Sequence, residues 1–241
     1  KPSDGLHMRF PHYGYTDMVR LQRILLSKAL GVERPYIVMG TSMGCMHAWV
    51  WGTLFPEAAR ALVPLACAPT QIAGRNRMMR RMMMDAITQD PDFKGGEYSA
   101  PPRGLRTALG LLYMMGSAPL VQQRQAPTRD AADSVITAYL DARMRATDPN
   151  DMLYQFDASR DYDPSPLLER VTVPVLHINS ADDLVNPPEL GLMEKLIPRV
   201  KTARYILLPV SERTRGHGTH TLPAIWGDSL RRFMQTLPPA P

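Results

Sequence analysis

Tyr36-Ile37-Val38-Met39-Gly40-Thr41-Ser42-Met43-Gly44-Cys45-Met46-His47-Ala48-Trp49 decides how the rest of the chain is read. Ile37, Val38 and Met39 form a short apolar run between Pro35 and Gly40, the pattern of a buried parallel strand. A Gly-x-Ser-x-Gly turn follows, and then a helix-length segment, residues 43–55, which Pro56 stops. Two glycines suit a strand-to-helix turn too tight for side chains beside the serine. Such a turn exposes the hydroxyl of Ser42 and aims the N-terminal N–H groups of the next helix at the same spot. Ser42 is therefore a candidate nucleophile, and the N–H of Met43 a candidate donor to an oxyanion.

The chain has 241 residues, enough for one large α/β domain. Its hydrophobic content of 44% and charged content of 21% fit a folded globular protein and exclude a disordered one. No apolar run reaches the roughly 18–20 residues of a membrane span. The net charge is +5 and the pI ≈ 9.4, but the basic residues are scattered outside Arg75–Arg81, so no nucleic-acid partner is expected. Cys45 and Cys67 are the two cysteines; neither has metal-ligand spacing, and a buried thiol is expected at Cys45. This permits a reducing compartment, and a cytoplasmic location is expected. The chain starts at Lys1 with no signal-peptide pattern, and its first twelve residues lead directly into a helix. A start inside a domain is expected.

Thr16 or Asp17 can cap a helix running to Leu30, with Met18, Leu21, Leu25 and Ala29 on one face. After the elbow, 61–66 reads as a second strand. Residues 70–163 change texture: methionine-rich, with prolines and a Gly95-Gly96 pair, they read as a helical lid insertion. Strand and helix then alternate again: strands at 173–179 and 203–208, helices at 187–197 and 222–237. The tail Pro238–Pro241 is expected to be loose. The fold class is α/β, with a mostly parallel sheet flanked by helices. Residues 1–69 and 164–241 form the core, and 70–163 the lid.

A serine hydroxyl needs an imidazole to take its proton, and the imidazole needs a carboxylate to fix its tautomer. The strand at 173–179 runs into Asp182-Asp183, and the strand at 203–208 is followed by Gly216-His217-Gly218-Thr219-His220. Both loops lie at the carboxyl ends of parallel strands, on the edge where the elbow opens. Asp183 is the first choice for the acid and His217 for the base. Asp182 and His220 are the alternatives; Asp182 could instead cap the following helix or bond the loop backbone. His217 and His220 lack a third ligand of zinc-site spacing, so no metal is expected. His7, His12, His47 and His177 have no supporting context. In Arg75-Asn76-Arg77-Met78-Met79-Arg80-Arg81-Met82-Met83-Met84, inward methionines and solvated arginines are the plain reading. A malleable wall for an acyl chain is the sharper one.

The chain resembles the homoserine O-acetyltransferase-like branch of the α/β-hydrolases over nearly its whole length. The resemblance rests on Phe10-Pro11 with the helix start at Tyr15–Val19, and on Gly40-Thr41-Ser42-Met43-Gly44. It extends to Asp90-Pro91-Asp92-Phe93-Lys94-Gly95-Gly96-Glu97-Tyr98, to Pro102-Arg103-Gly104-Leu105, to Asp183-Leu184-Val185-Asn186-Pro187-Pro188 and to Gly216-His217. It implies an α/β-hydrolase fold with Ser42 as nucleophile, Asp183 as acid and His217 as base. Homoserine acetyltransferases typically carry Ala-Arg and then Tyr-Arg-Ser in the insertion; here Ala108 precedes Leu109, and Tyr113 precedes Met114-Met115. The acid loop reads Leu184-Val185-Asn186 where Trp-Leu-Phe is usual. Both departures argue against homoserine as substrate.

The resemblance further implies strands before the 16–30 helix, with a second oxyanion donor on one of their loops. The expected function is serine-dependent acyl transfer, with ester hydrolysis as the outcome and no cofactor. The alternatives are an O-acetyltransferase using acyl-CoA as co-substrate, and a non-catalytic binding protein on the same scaffold. The expected partner is a small-molecule ester or acyl donor. A homodimer, or a companion N-terminal segment or chain completing the sheet, is a further expectation.

Overall fold

The computed structural model describes residues 1–239. The expectation of a loose tail falls partly on residues 240 and 241, which lie outside the described residues. Among the described residues, four strands form one sheet: β1 Val38–Thr41, β2 Leu62–Leu65, β3 Val175–Ser180 and β4 Ala203–Leu208. They run parallel in the order β1-β2-β3-β4, with Val38 opposite Leu62, Leu62 opposite Val175 and Val175 opposite Ala203. The helices are α1 Tyr15–Ile24, α2 Met43–Leu54, α3 Gly74–Thr88, α4 Arg103–Gly116 and α5 Pro119–Gln125. They continue with α6 Arg129–Ala146, α7 Pro149–Asp157, α8 Leu192–Leu196 and α9 Pro223–Gln235. Among the described residues, no helix is long and apolar enough to cross a membrane.

The chain divides into two compact units. One comprises Tyr15–Gln71 and the chain from Asp161 onward, and it holds the whole sheet. Every residue of β2 and β3 is buried, as central parallel strands covered on both faces must be. Ala61, Val63, Leu65, Leu176 and Ile178 pack with Trp226, Phe233 and Leu237. β1 departs from the expected buried strand. Among the described residues it pairs with β2 alone, and Met39 is 41% exposed. A strand with one neighbour keeps one edge and part of its side chains open.

The first helix also differs from its expected form. Its leading N–H groups are capped from far along the chain: Asp161 accepts Tyr15 N–H at 3.0 Å and Thr16 N–H at 3.4 Å. The helix begins at Tyr15, so Thr16 and Asp17 lie inside its first turn and not ahead of it. Tyr15 and Val19 are its buried residues, while Leu21, Leu25 and Ala29 of the expected inward stripe are exposed. After Ile24 the backbone widens into a π-helical run, Leu25–Ala29. A change of winding rotates the later side chains away from the stripe that a constant 3.6-residue period places inward. The single helix expected at 187–197 is broken at Gly191 into a short 3-10 turn and α8.

The other unit joins Lys1–Gly14 to Ile72–Arg160. Met79, Met83, Ile87, Phe93, Leu105, Ala108, Leu109, Met152, Leu153 and Phe156 form its core. α3 and α4 approach closely at Gly104, where a Cβ would stand 1.7 Å from the carbonyl oxygen of Ala86. Asp90 locks this crossing by accepting Asp92 N–H at 2.8 Å and Gly104 N–H at 2.7 Å, and these bonds hold its carboxyl below the ordinary range. Met79 and Met83 point inward as expected, while Met78 and Met82 are exposed. Arg80 breaks the pattern of solvated arginines: it is buried over the Phe156 ring, bonded to Asn76 at 2.9 Å and Ser159 at 3.1 Å. Burial of a guanidinium requires such partners.

Candidate active site

The elbow is built by a backbone contact. A Cβ on Gly40 would stand 1.9 Å from the carbonyl oxygen of Gly44, so only glycine lets the strand pass the first turn of α2. Ser42 sits between them at φ 52 and ψ −111, a conformation costing about 1–3 kcal/mol for a residue with a side chain. Its N–H donates to Leu65 O of β2 at 2.8 Å, which offsets part of that cost. Met43 is the first residue of α2, where helix N–H groups point outward.

Three sheet ends converge here. Ser42 follows β1, Asp183 follows β3, and His217 lies in the loop after β4. Ser42 Oγ is 2.7 Å from His217 Nε2, and His217 Nδ1 is 2.8 Å from Asp183 Oδ2. A carboxylate can only accept, so Nδ1 carries the proton, Nε2 accepts, and the serine hydroxyl donates. Asp183 is 1% exposed. Burial alone would raise its carboxyl; the His217 imidazole and the donors of Asn186 and Val185 outweigh this and hold it below its ordinary value.

Asn186 supplies much of that support. Its backbone N–H reaches Asp183 Oδ1 at 3.3 Å, beside that of Val185 at 2.8 Å. Its side-chain amide donates to Asp183 Oδ2 and to Ala66 O, each at 3.1 Å. The chain turns through Ala66 at φ 64, which presents that carbonyl. Asn186 is not among the residues that the motif pattern singles out; its signal in the sequence is an asparagine three residues beyond the candidate acid.

The alternative residues occupy other places. Asp182 bonds to Ser180 and to the backbone of Gly216, not to either imidazole nitrogen of His217. His220 packs edge-on against His217, with ring centroids 5.1 Å apart, and burial together with that neighbour pushes it down to about 4. His47 is bonded to Gln22 at 3.3 Å, and burial lowers it as well. His177 is fully buried between Trp49 Nε1 at 3.1 Å and the oxygens of Cys67 and Asn179 at 3.0 Å.

Cys45 is not a free thiol. It is joined to Cys67 in a disulfide, with Cα atoms 5.9 Å apart. Cys45 lies in the first turn of α2 and Cys67 two residues past β2, so adjacent parallel strands deliver both sulfurs to one place. Sequence position alone, without the β1–β2 pairing, hides this. Cys45, Cys67 and His177 have the donor types and the proximity of a metal site. Here both sulfurs are spent on each other and both His177 nitrogens are engaged, so this donor set does not fit a metal.

No family model matches the chain. A probable acyltransferase from Methanothermobacter thermautotrophicus is 30% identical over 201 residues, covering 80% of this chain and 59% of that protein. The homoserine O-acetyltransferase of Acidiphilium cryptum is 43% identical over 103 residues, 41% of this chain and 26% of the relative. The match thus spans less than two thirds of either relative's length. Among solved structures, homoserine O-acetyltransferase from Bacillus anthracis superposes with a TM-score of 0.85 at 21% identity, over 96% of this chain and 68% of that one. An acetylester hydrolase from Corynebacterium glutamicum gives a TM-score of 0.80 at 20% identity, over 95% and 68%. A parallel sheet with an elbow after one strand, and with candidate acid and histidine loops after later ones, is the α/β-hydrolase fold. The chain has that fold, and its sequence is similar to acyltransferases and to members of the homoserine O-acetyltransferase-like branch.

Proposed function

We propose that the protein is a serine-dependent acyl-transfer enzyme and that its main reaction is ester hydrolysis. The hydrogen-bond chain Ser42–His217–Asp183 carries this reading. As Ser42 Oγ attacks the ester carbonyl carbon, its proton passes to His217 Nε2, and the carbonyl oxygen takes the negative charge. The Met43 N–H is the proposed first donor to that oxyanion. Collapse breaks the bond to the alkoxide, which leaves with the proton from His217. Water then attacks the acyl-serine, losing a proton to His217, and Ser42 is regenerated with release of the acid. Asp183 stays ionised and orients the imidazole throughout.

The alternative passes the acyl group from acyl-CoA to an alcohol through the same acyl-serine. The kinship with acyltransferases favours it. The insertion argues against homoserine as acceptor: Leu109 is buried in the helical unit's core, at the position where the related enzymes carry the first arginine. An exposed β1 edge, with Leu21, Leu25 and Leu30 bare in the same unit, favours a companion strand completing the sheet, with a homodimer as the competing arrangement. For location, the Cys45–Cys67 bond favours an oxidising compartment over the cytoplasm expected from the sequence, and subcellular fractionation decides.

Burst kinetics with p-nitrophenyl acetate, with and without alcohol acceptors, test the reaction. A burst carried over to ester product marks the transferase, and a burst ending in acetate marks the hydrolase. A folded protein with neither a burst nor fluorophosphonate labelling at Ser42 is a binding protein on this scaffold.

A further inference from the structure

Two carboxylates stand side by side after β3, and only Asp183 faces the imidazole. Asp182 turns to a different task. Its Oδ1 accepts the hydroxyl of Ser180 at 2.5 Å, and its Oδ2 accepts the backbone N–H of Gly216 at 3.0 Å. Ser180 is the last residue of β3 and is 5% exposed. Gly216 directly precedes His217 and turns the chain at φ 61. We propose that Asp182 is a positioning residue, which fixes the backbone of the histidine loop so that His217 stands between Asp183 and Ser42.

Between β4 and His217 the loop closes mainly on itself: Ser211 N–H to Thr214 Oγ1 at 3.1 Å, Thr214 Oγ1 to Ser211 O at 2.9 Å, and Arg215 N–H to Thr219 Oγ1 at 2.8 Å. Arg213 fastens it to α9 through Ala224 O. The Gly216–Asp182 bond is the backbone tie that joins it to the acid loop, 34 residues earlier. It acts one residue from His217, where a small backbone rotation sweeps the ring off its two partners. Ser180 in turn keeps the Asp182 carboxylate from rotating, because the buried strand end holds the hydroxyl. A misplacement of about 1 Å can cost about a hundredfold in rate.

The inference rests on reading Ser42 as the nucleophile, so its test uses one measurement that does not require turnover. The low-field proton resonance of His217 Nδ1–H against Asp183 reports the ring's position, and the rate of fluorophosphonate labelling reports reactivity. Asp182→Asn keeps an acceptor for Gly216 and can donate its amide to Ser180, while Asp182→Ala keeps neither. We expect Asp182→Ala to lose the low-field resonance and to slow labelling at least tenfold, and Asp182→Asn to keep the resonance and stay within threefold of wild type. Equal losses in both variants overturn positioning in favour of charge. An unchanged Asp182→Ala overturns the proposal outright. If Asp182→Ala does not fold, Ser180→Ala carries the test: a broadened resonance with slower labelling supports the clamp, and wild-type behaviour overturns it. A wild-type protein that shows the resonance but never labels overturns the acyl-enzyme reading alone.

Discussion

The side-chain amide of Asn186 lies 3.1 Å from Asp183 Oδ2 and the same distance from Ala66 O, so one nitrogen ties the carboxylate to the end of β2. A hydrogen bond to a charged group is worth about 1.5–3 kcal/mol. Asn186→Ala should therefore raise the Asp183 carboxyl toward its ordinary value and lower kcat roughly tenfold, with KM little changed. A kcat within twofold of wild type would show that the Val185 and Asn186 backbone donors suffice.

The two glycines of the elbow are not equivalent. A Cβ at Gly40 meets backbone at 1.9 Å, whereas one at Gly44 meets nothing within 4 Å. Gly40→Ala should cost several kcal/mol or abolish folding. Gly44→Ala should be neutral or gain up to about 1 kcal/mol from helix propensity. Chemical denaturation of both variants checks this, and equal effects would refute it.

Reduction of Cys45–Cys67 opens a link across 22 residues. A loop of that size corresponds to roughly 3 kcal/mol of stability. The double variant Cys45→Ala with Cys67→Ala should unfold at a clearly lower temperature, and wild type in reductant should follow it, while Ser42 still labels at low temperature. Identical melting in oxidised and reduced protein would contradict the bond.

Acid should destabilise the protein through His177. Its folded-state value is about 4, because burial between Trp49 and the Cys67 carbonyl opposes charge; unfolded, it returns to about 6.5. A depressed histidine contributes stability fully above the unfolded value, and this is lost as pH falls toward the folded one. The difference is of order 3 kcal/mol between about pH 6.5 and 4. His220, also held near 4, acts in the same direction. Urea midpoints across that window should fall, and fall less steeply in His177→Gln.

What was legible in the sequence is what local pattern and chain order encode. Gly40, Ser42 and Gly44 marked the strand–turn–helix, and the position of Asp183 and His217 after later apolar runs marked sheet ends. What local pattern does not encode depends on which strands are neighbours. β1 looked buried because its residues are apolar, yet edge position is a property of the sheet. Cys45 and Cys67 looked independent because the β1–β2 pairing brings them together. The Asp161 cap on α1 arrives from 146 residues away, which no local capping rule reaches.

The serine and histidine that bond at 2.7 Å are 175 positions apart in the chain. The elbow itself is local, but its chemistry is not: it requires β1 through β4 to be paired in order, and pairings between distant segments form slowly. If Ser42 is the proposed nucleophile, its labelling is a clock for the last stage of folding. In a refolding experiment, probe labelling should lag behind the far-ultraviolet helix signal, and it counts molecules whose sheet is fully assembled.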